Sequence, residues 1–506
     1  MKTLCLGNNT EDTDTKTREL ADQNNQPCHG LLSELEGHLL AEQYSQAGYY
    51  HSSVYDLDPG RLTALLPEFD QVIMLDQPKS QWSHPYAFNK TIQAVMSQGE
   101  RGSFVNPELS KTYTVFEELV TNNKSFCVFP FVQLYTFSNG TAVCCRSSEI
   151  ITKIQDLQDW QNDPGYQQIR SKMIAGEPVP KHCDFCYRQE AKGITSPRQV
   201  EATEWMQRLN IDSLDELLKL KKPAYYDIRP SNKCNLMCRM CNPDDSHLIA
   251  QEYNKIGIVY HENQRHMDAP KHFIDFNIVD LDSVEKLSVA GGEPSIMIEF
   301  YKFLEKCLAV GRTDFEISIT TNANRFNNKF KSLIEKFPNV SLIVSIDGYQ
   351  DLNHYIRYPS QWNNIIENMR YLQQQKILFS THTTISIYNV NSLHLLLEFL
   401  DREFPGVIAD WDFVENPKIL LPFLFPDAQS VVESLQAVTR TNCYKNAAQI
   451  FQERIDSCLE YFSKHHVVQT DQLQQFFSFN DKLDQSRSMR LSDYVPVLDK
   501  YRDMVV

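Results

Sequence analysis

The chain has no apolar run near the roughly 18 residues that a bilayer-spanning helix needs. The stretch Ile419 to Phe425 is short and contains Pro422. The segment Met1 to Lys16 lacks the apolar core of a signal peptide and carries acidic side chains, so no export signal is expected. Internal repeats and long low-complexity tracts are also absent. Basic charge is scarce: 49 Lys and Arg stand against 65 Asp and Glu, a formal net charge of −16. The short cluster Lys219–Lys222 is no more than a solvated face carries. A field of that sign opposes a phosphate backbone, so no nucleic acid is expected as a partner, and no membrane either. Gly7 opens no G-x-G-x-x-G run, so nucleotide binding has no motif behind it. What remains is an ordinary globular composition, 42% hydrophobic and 23% charged, in 506 residues, enough for two to four domains. A reducing cytoplasm is the consistent compartment.

Cysteine, in contrast, is plentiful. There are thirteen, and eight of them lie between Cys127 and Cys241. In a chain of this length they point to metal rather than to a small disulfide scaffold. The densest run is Cys234-Asn-Leu-Met-Cys238-Arg-Met-Cys241, spaced C-x3-C-x2-C. It supplies three thiolates from one loop, not the four that close a structural zinc shell. Iron–sulfur clusters are held by short cysteine runs of this kind, and a cube gripped by three leaves one iron open to a small molecule.

This run resembles the signature of the radical SAM enzymes, and further segments follow in the family's order. Gly291-Gly292-Glu293-Pro294 resembles the glycine-glycine-glutamate segment that meets the methionine part of S-adenosylmethionine (SAM). Thr320-Thr321-Asn322 and Ser345-Ile346-Asp347-Gly348 resemble two later strand-end segments that line the cofactor. Where the family has an aromatic residue before the third cysteine, this chain has Met240, flexible and polarisable enough to cover an adenine face. Arg357 resembles a position near the SAM carboxylate, with a surface ion pair as the alternative. The resemblance implies a 4Fe-4S cluster with an open iron on Cys234, Cys238 and Cys241. It places Met240, Gly291, Gly292, Glu293, Asn322, Ser345, Asp347 and Arg357 around SAM. It further implies reductive cleavage to a 5′-deoxyadenosyl radical, hydrogen-atom abstraction from a peptide or small-molecule substrate, and an electron donor such as flavodoxin or ferredoxin. No acid–base residue is assigned. A methyl or sulfur transferase of the same superfamily and a non-catalytic cysteine–metal protein are the alternatives.

A second cysteine set precedes the first. Phe131 to Phe137 is aromatic and β-rich, Asn139-Gly140 is a strong hairpin signal, and Thr141 to Cys145 returns. Side chains alternate faces on a strand, so only one of Cys144 and Cys145 readily faces a shared metal. A helix over Tyr166 to Met173 ends near Gly176, ahead of Cys183-Asp-Phe-Cys186. The set Cys127, Cys145, Cys183 and Cys186 resembles the twitch domain, a short form of the SPASM domain, which implies an auxiliary 4Fe-4S cluster. Gly140 to Cys145 matches that module's G-x4-C part and so implies Cys145 over Cys144. In the family the module follows the barrel; here it precedes it. The same four thiolates also suit structural zinc. His182 reads as a surface or supporting group.

The expected fold is α/β, a partial (β/α)6 barrel with added domains. Barrel strands are expected at 226–229, 286–290, 315–320, 342–346, 381–387 and 408–413, apolar enough to be covered on both sides. Ile296, Phe300, Phe303, Leu304, Cys307 and Leu308 fall on one helical stripe, as do Leu393, Leu396, Leu397 and Leu400. The expected domains are a small α/β unit over 1–110, the cysteine module over 111–200, the barrel over 201–425 and a helical extension over 426–506. Within the first, strands are expected at 3–6 and 69–75 and helices at 15–23 and 86–98. Ala428 to His465 reads as helix, and Asp484 to Pro496 as a loop with a short helix. Cys5, Cys28, Cys443 and Cys458 read as packed thiols.

Overall fold

The computed structural model describes residues 123–504, apart from 138, 139, 146, 148, 192–195, 210, 212 and 263, and five strands before them. Those five are β1 (Lys2–Gly7), β2 (Cys28–Leu31), β3 (Gly48–Ser53), β4 (Gln71–Met74) and β5 (Gly102–Phe104). They form one parallel sheet in the order β2-β3-β1-β4-β5. β1 and β4 coincide with the two strands expected from the sequence; the helices expected at 15–23 and 86–98 lie outside the described residues.

The chain divides into two compact units. One comprises residues 1–132, 143–149 and 159–221; the other comprises 133–142, 150–158 and 222–506. The second unit is built on a nine-stranded sheet. Six parallel strands run inward from one edge: β14 (Ile408–Phe413), β13 (Leu378–Ile385), β12 (Val340–Ser345), β11 (Glu316–Thr321), β10 (Lys286–Val289) and β9 (Tyr225–Ile228). Each of the six expected strands is present to within a few residues. The sheet is open, not a closed barrel. Beyond β9 it continues into β6 (Gln133–Phe137), β7 (Gly140–Ala142) and β8 (Thr152–Lys153). β6 pairs in parallel with β9 and antiparallel with β7, so the hairpin read in the cysteine module extends the barrel sheet.

The strands are not apolar on both faces. Leu287, Val289, Ile317, Ile319, Leu342 and Val344 are buried, while Ser288, Ser318 and Ile343 between them are half-exposed and, Ile343 apart, polar. Parallel register aligns Ser318 with Ser341, Ser345 with His382, and His382 with Asp410 on that second face. The period is therefore 2, with helices covering one face only. The helix Ile298–Ala309 buries Phe300, Phe303, Leu304 and Cys307 as its stripe requires, and Leu393–Glu403 buries all four expected leucines. His394 on the latter bonds Ser434 Oγ at 3.0 Å in the helix Ala428–Val438. No helix among the described residues is long and apolar enough to cross a membrane.

Asp410 lies on the polar face. Burial, aided by the neighbouring Asp412 carboxylate and opposed by Arg454, pushes its pKa up to about 6. The folded state thus holds this proton more tightly than the unfolded chain, and stability falls as pH rises from about 4 through 6. Asp410→Asn is expected to exceed the parent in stability at pH 7, by about 3 kcal/mol at most. Parallel urea titrations should show the gap closing below pH 4; a constant gap would refute the shift.

The C-terminal segment departs from its sequence reading. Asp484 to Arg487 is not loop but the last turn of an 18-residue helix, Thr470–Arg487. Its buried stripe is Leu473, Phe476, Phe477, Asn480, Leu483, Asp484 and Arg487. Three of these are polar, which breaks the apolar periodicity that a sequence reading depends on.

Candidate metal and cofactor site

The Cys234–Cys241 loop leaves the carboxyl end of β9, where ligands gather in parallel α/β sheets. Fully buried Asn232 fixes its start, accepting from Lys271 N at 2.7 Å and donating to Met267 O at 3.1 Å. Cys234, Cys238 and Cys241 are free, partly buried thiols. Burial raises all three pKa values; Cys238 adds to the shift at Cys234, and Cys238 and Cys234 add to that at Cys241. Crowded, desolvated thiols of this kind become thiolates only when a cation is shared among them. The loop runs into the helix His247–Ile256, which ends at Gly257 with φ 69°.

The Gly-Gly-Glu segment follows β10 and is bound to this loop backbone to backbone. Glu293 N donates to Lys233 O at 2.8 Å. Gly292 has φ +58°, and a Cβ there would meet Lys233 O at 2.4 Å and Ser231 O at 2.8 Å. Gly292→Ala therefore forces the two loops apart. We expect it to cost at least about 2 kcal/mol, read as a lower denaturant midpoint, and to reduce iron uptake at the triad. Unchanged iron and an unchanged midpoint would show that the loops do not need this contact.

Glu293 is buried, and its carboxylate accepts three hydrogen bonds within the protein. It accepts from Ser295 N at 3.0 Å, Thr321 Oγ1 at 2.6 Å and Asn322 N at 2.7 Å. Burial raises its pKa, and these three donors counter the rise. Asn322 Nδ2 in turn reaches Asn235 Oδ1 in the cysteine loop at 2.9 Å. Three successive strand ends are thereby joined around the triad.

Asp347, past β12, accepts from Arg357 Nη1 at 2.6 Å and from Thr384 N at 2.7 Å. Arg357 is therefore not a surface ion pair. Its side chain is 14% exposed, and its Nε is buried without a hydrogen-bond partner among the described residues. Burial opposes its charge, yet Cys238 and Asp347 hold it strongly protonated. Ser345 ends β12 on the polar face, and Met240 is half-buried in the loop.

Sequence reasoning left the partners of this loop without a role. Arg239, between the second and third cysteines, is fully buried. It donates to Tyr355 O at 2.8 Å, Asn480 Oδ1 at 2.9 Å and Asp484 Oδ1 at 2.5 Å. Its guanidinium lies 3.6 Å from the Tyr355 ring centroid. Arg487 forks onto Glu252 of the helix His247–Ile256 at 2.9 and 2.6 Å. The polar positions of the 470–487 helix were the available signal: Asn480, Asp484 and Arg487 share one face at helical spacing.

The second cysteine set belongs to the other unit. Cys183 and Cys186 lie on the helix Pro180–Glu190, and Cys127 is buried. Burial pushes Cys183 up to about 12, with Cys144 next in effect and then Cys186. Cys183 and Cys186 likewise add to the rise at Cys127. Cys144 is partly buried and Cys145 exposed, so the neighbour acting on Cys183 is Cys144. Arg198 is a further residue that the sequence did not single out. It is 2% exposed, donates to Phe126 O at 2.9 Å and pairs with Glu190, and its charge lowers all three thiols. Arg170, at 3% exposed, is held by Pro130 O at 2.8 Å and Gln161 O at 2.7 Å, with its guanidinium 4.3 Å from the Trp160 ring. Among the described residues, no three Cys, His, Asp or Glu side chains are drawn together tightly enough to hold a single metal ion.

No curated protein matches the chain in sequence. Among solved structures it is similar to Streptococcus suis SuiB bound to S-adenosylmethionine, at 14% identity over 55% of this chain and 59% of that one, TM-score 0.30. It is also similar to anSMEcpe with bound AdoMet, at 13% identity over 44% and 57%, TM-score 0.32. A third similarity is to TYW1 with a lysine–pyruvate adduct bound, at 13% identity over 41% and 70%, TM-score 0.25. The chain covers less than two thirds of the first two proteins. Residues 228–400 match the family described as the Radical SAM superfamily.

Proposed function

We propose that this chain is a radical SAM enzyme acting on a peptide or a small molecule through hydrogen-atom abstraction. The observation that carries the reading is the cysteine loop bonded to the Gly-Gly-Glu segment at adjacent strand ends, Glu293 N to Lys233 O at 2.8 Å. Cys234, Cys238 and Cys241 would hold a 4Fe-4S cluster. With SAM on its open iron, that group supplies one-electron cleavage of the sulfonium and so the means to attack an unreactive C–H bond.

The chain's own groups bind and orient. Gly291 and Gly292 let their segment pack against residues 229–233, which would set its backbone toward the methionine part of SAM. Arg357, charged and with an unpartnered Nε, suits its carboxylate. Asp347 fixes the orientation of Arg357. Glu293, Asn322 and Ser345 form the polar rim, and Met240 offers a polarisable face for the adenine. The half-exposed polar face of the sheet receives the substrate, and a peptide is the first class to test.

Cys127, Cys144, Cys183 and Cys186 would hold an auxiliary 4Fe-4S cluster, for electron transfer or substrate anchoring. Cys144 replaces Cys145 in this assignment because it is the one acting on Cys183. The same four thiolates also suit structural zinc, and metal content separates the two.

Anaerobic reconstitution tests the whole reading. About eight irons per chain and deoxyadenosine on reduction with SAM are expected. Zinc without deoxyadenosine would leave a metal-binding protein instead.

A further inference from the structure

We propose that the helix Thr470–Arg487 is the positioning element for the cluster loop, with Asp484 and Asn480 as its positioning residues acting through Arg239. The proposal rests on the reading of Cys234, Cys238 and Cys241 as the cluster ligands. Residues 233–243 contain no helix or strand. The loop's internal bonds are few: Cys241 N donates to Cys238 O at 3.1 Å, Leu236 N to Cys234 Sγ at 3.4 Å and Cys241 Sγ to Asn242 O at 3.7 Å. Three ligands on such a loop hold a fixed geometry only if something outside it does the holding.

The outside support is specific and distant in sequence. Arg239 is flanked by Cys238 and by Met240-Cys241. Its planar fork spends Nη1 on Asn480 and Nη2 on Asp484, and Nε on Tyr355 O. Tyr355 and Tyr388 donate their hydroxyls to the same two side chains, to Asp484 Oδ1 at 2.9 Å and Asn480 Oδ1 at 3.0 Å. Leu483 and Phe479 of the helix belong to an apolar cluster that also takes in Met237 and Cys241. The segment carrying Arg357 is tied in as well: Met237 N donates to Tyr358 O at 2.5 Å and Arg239 N to Ile356 O at 2.8 Å. One helix therefore sets the position of two ligands and of the segment bearing the arginine assigned to the SAM carboxylate. A carboxylate facing a guanidinium fork is a geometric device, not only a charge. Outer-shell partners of metal ligands typically govern affinity by roughly 10- to 100-fold.

The test uses the full chain with Asp484→Ala, Asp484→Asn and Asp484→Glu. In the reconstituted protein, Asp484→Ala should lose the triad's iron to a chelator roughly 10- to 100-fold faster. The electron paramagnetic resonance change that SAM induces in the reduced cluster should broaden or vanish. Asp484→Asn should fall between, and Asp484→Glu should restore the signal in part. In the metal-free chain, alkylation of Cys238 and Cys241 should accelerate in Asp484→Ala while that of Cys183 does not. The alkylation arm needs no cluster, and Asp484→Asn, isosteric with the parent, keeps the test alive if the alanine variant fails to fold. Parent-like chelation, spectra and alkylation in a folded variant would overturn the proposal while leaving the radical SAM reading intact. Failure of the parent chain to take up iron and sulfide would overturn that reading, with accelerated alkylation still supporting the helix as the loop's anchor.

Discussion

Cys238→Ala is expected to abolish deoxyadenosine formation and to remove about four irons per chain, while hardly moving the unfolding midpoint of the metal-free protein. The thiol is partly buried on an irregular loop and supports no core. Burial keeps it a neutral thiol in the unmetallated chain, so its loss breaks no ion pair. Cys307→Ala is the control. That thiol is fully buried on the sheet-facing stripe of the helix Ile298–Ala309. Its truncation should lower stability by about 1 kcal/mol and leave iron and deoxyadenosine unchanged. If both variants kept their iron, the triad would not be the cluster site.

The second large effect concerns the pair Arg487–Glu252. Both side chains are at most 5% exposed, and the guanidinium forks onto both carboxylate oxygens. A buried pair adds little over well-packed apolar groups, but removing one member strands the other charge out of water. Glu252→Ala should thus cost about 3–5 kcal/mol, and the double variant Glu252→Leu/Arg487→Met should recover most of that loss. Denaturant midpoints of the single and double variants decide it. An equal loss in both would mean that packing rather than charge is what matters there.

Much of this was legible in the sequence, for identifiable reasons. The six barrel strands could be placed because most carry alternate buried residues and are followed within a few residues by glycine, asparagine or aspartate. The cysteine triad and Gly291-Gly292 stand out because a C-x3-C-x2-C run and a glycine pair are visible in the sequence itself. The hairpin's membership of the sheet could not, since β6 and β9 pair across about ninety residues of chain. Nor could the 470–487 helix be delimited. Its inward face carries Asn480, Asp484 and Arg487, whose partners are Arg239 and Glu252, more than two hundred residues away. Polar groups chosen for distant partners leave no local pattern. The choice between Cys144 and Cys145 is of the same kind: a spacing rule names two neighbours, of which Cys144 is partly buried and Cys145 exposed.

The sheet of the second unit draws β6, β7 and β8 from chain that precedes the first unit's last helices. Neither unit is therefore a continuous piece of polypeptide. A fragment beginning at residue 222 would bare the hydrogen-bonding edge of β9, an invitation to intermolecular strand addition. Any attempt to dissect this protein by truncation must carry residues 133–158 along with the barrel, and ribosomal synthesis meets the same order: these strands emerge well before the partner edge they complete.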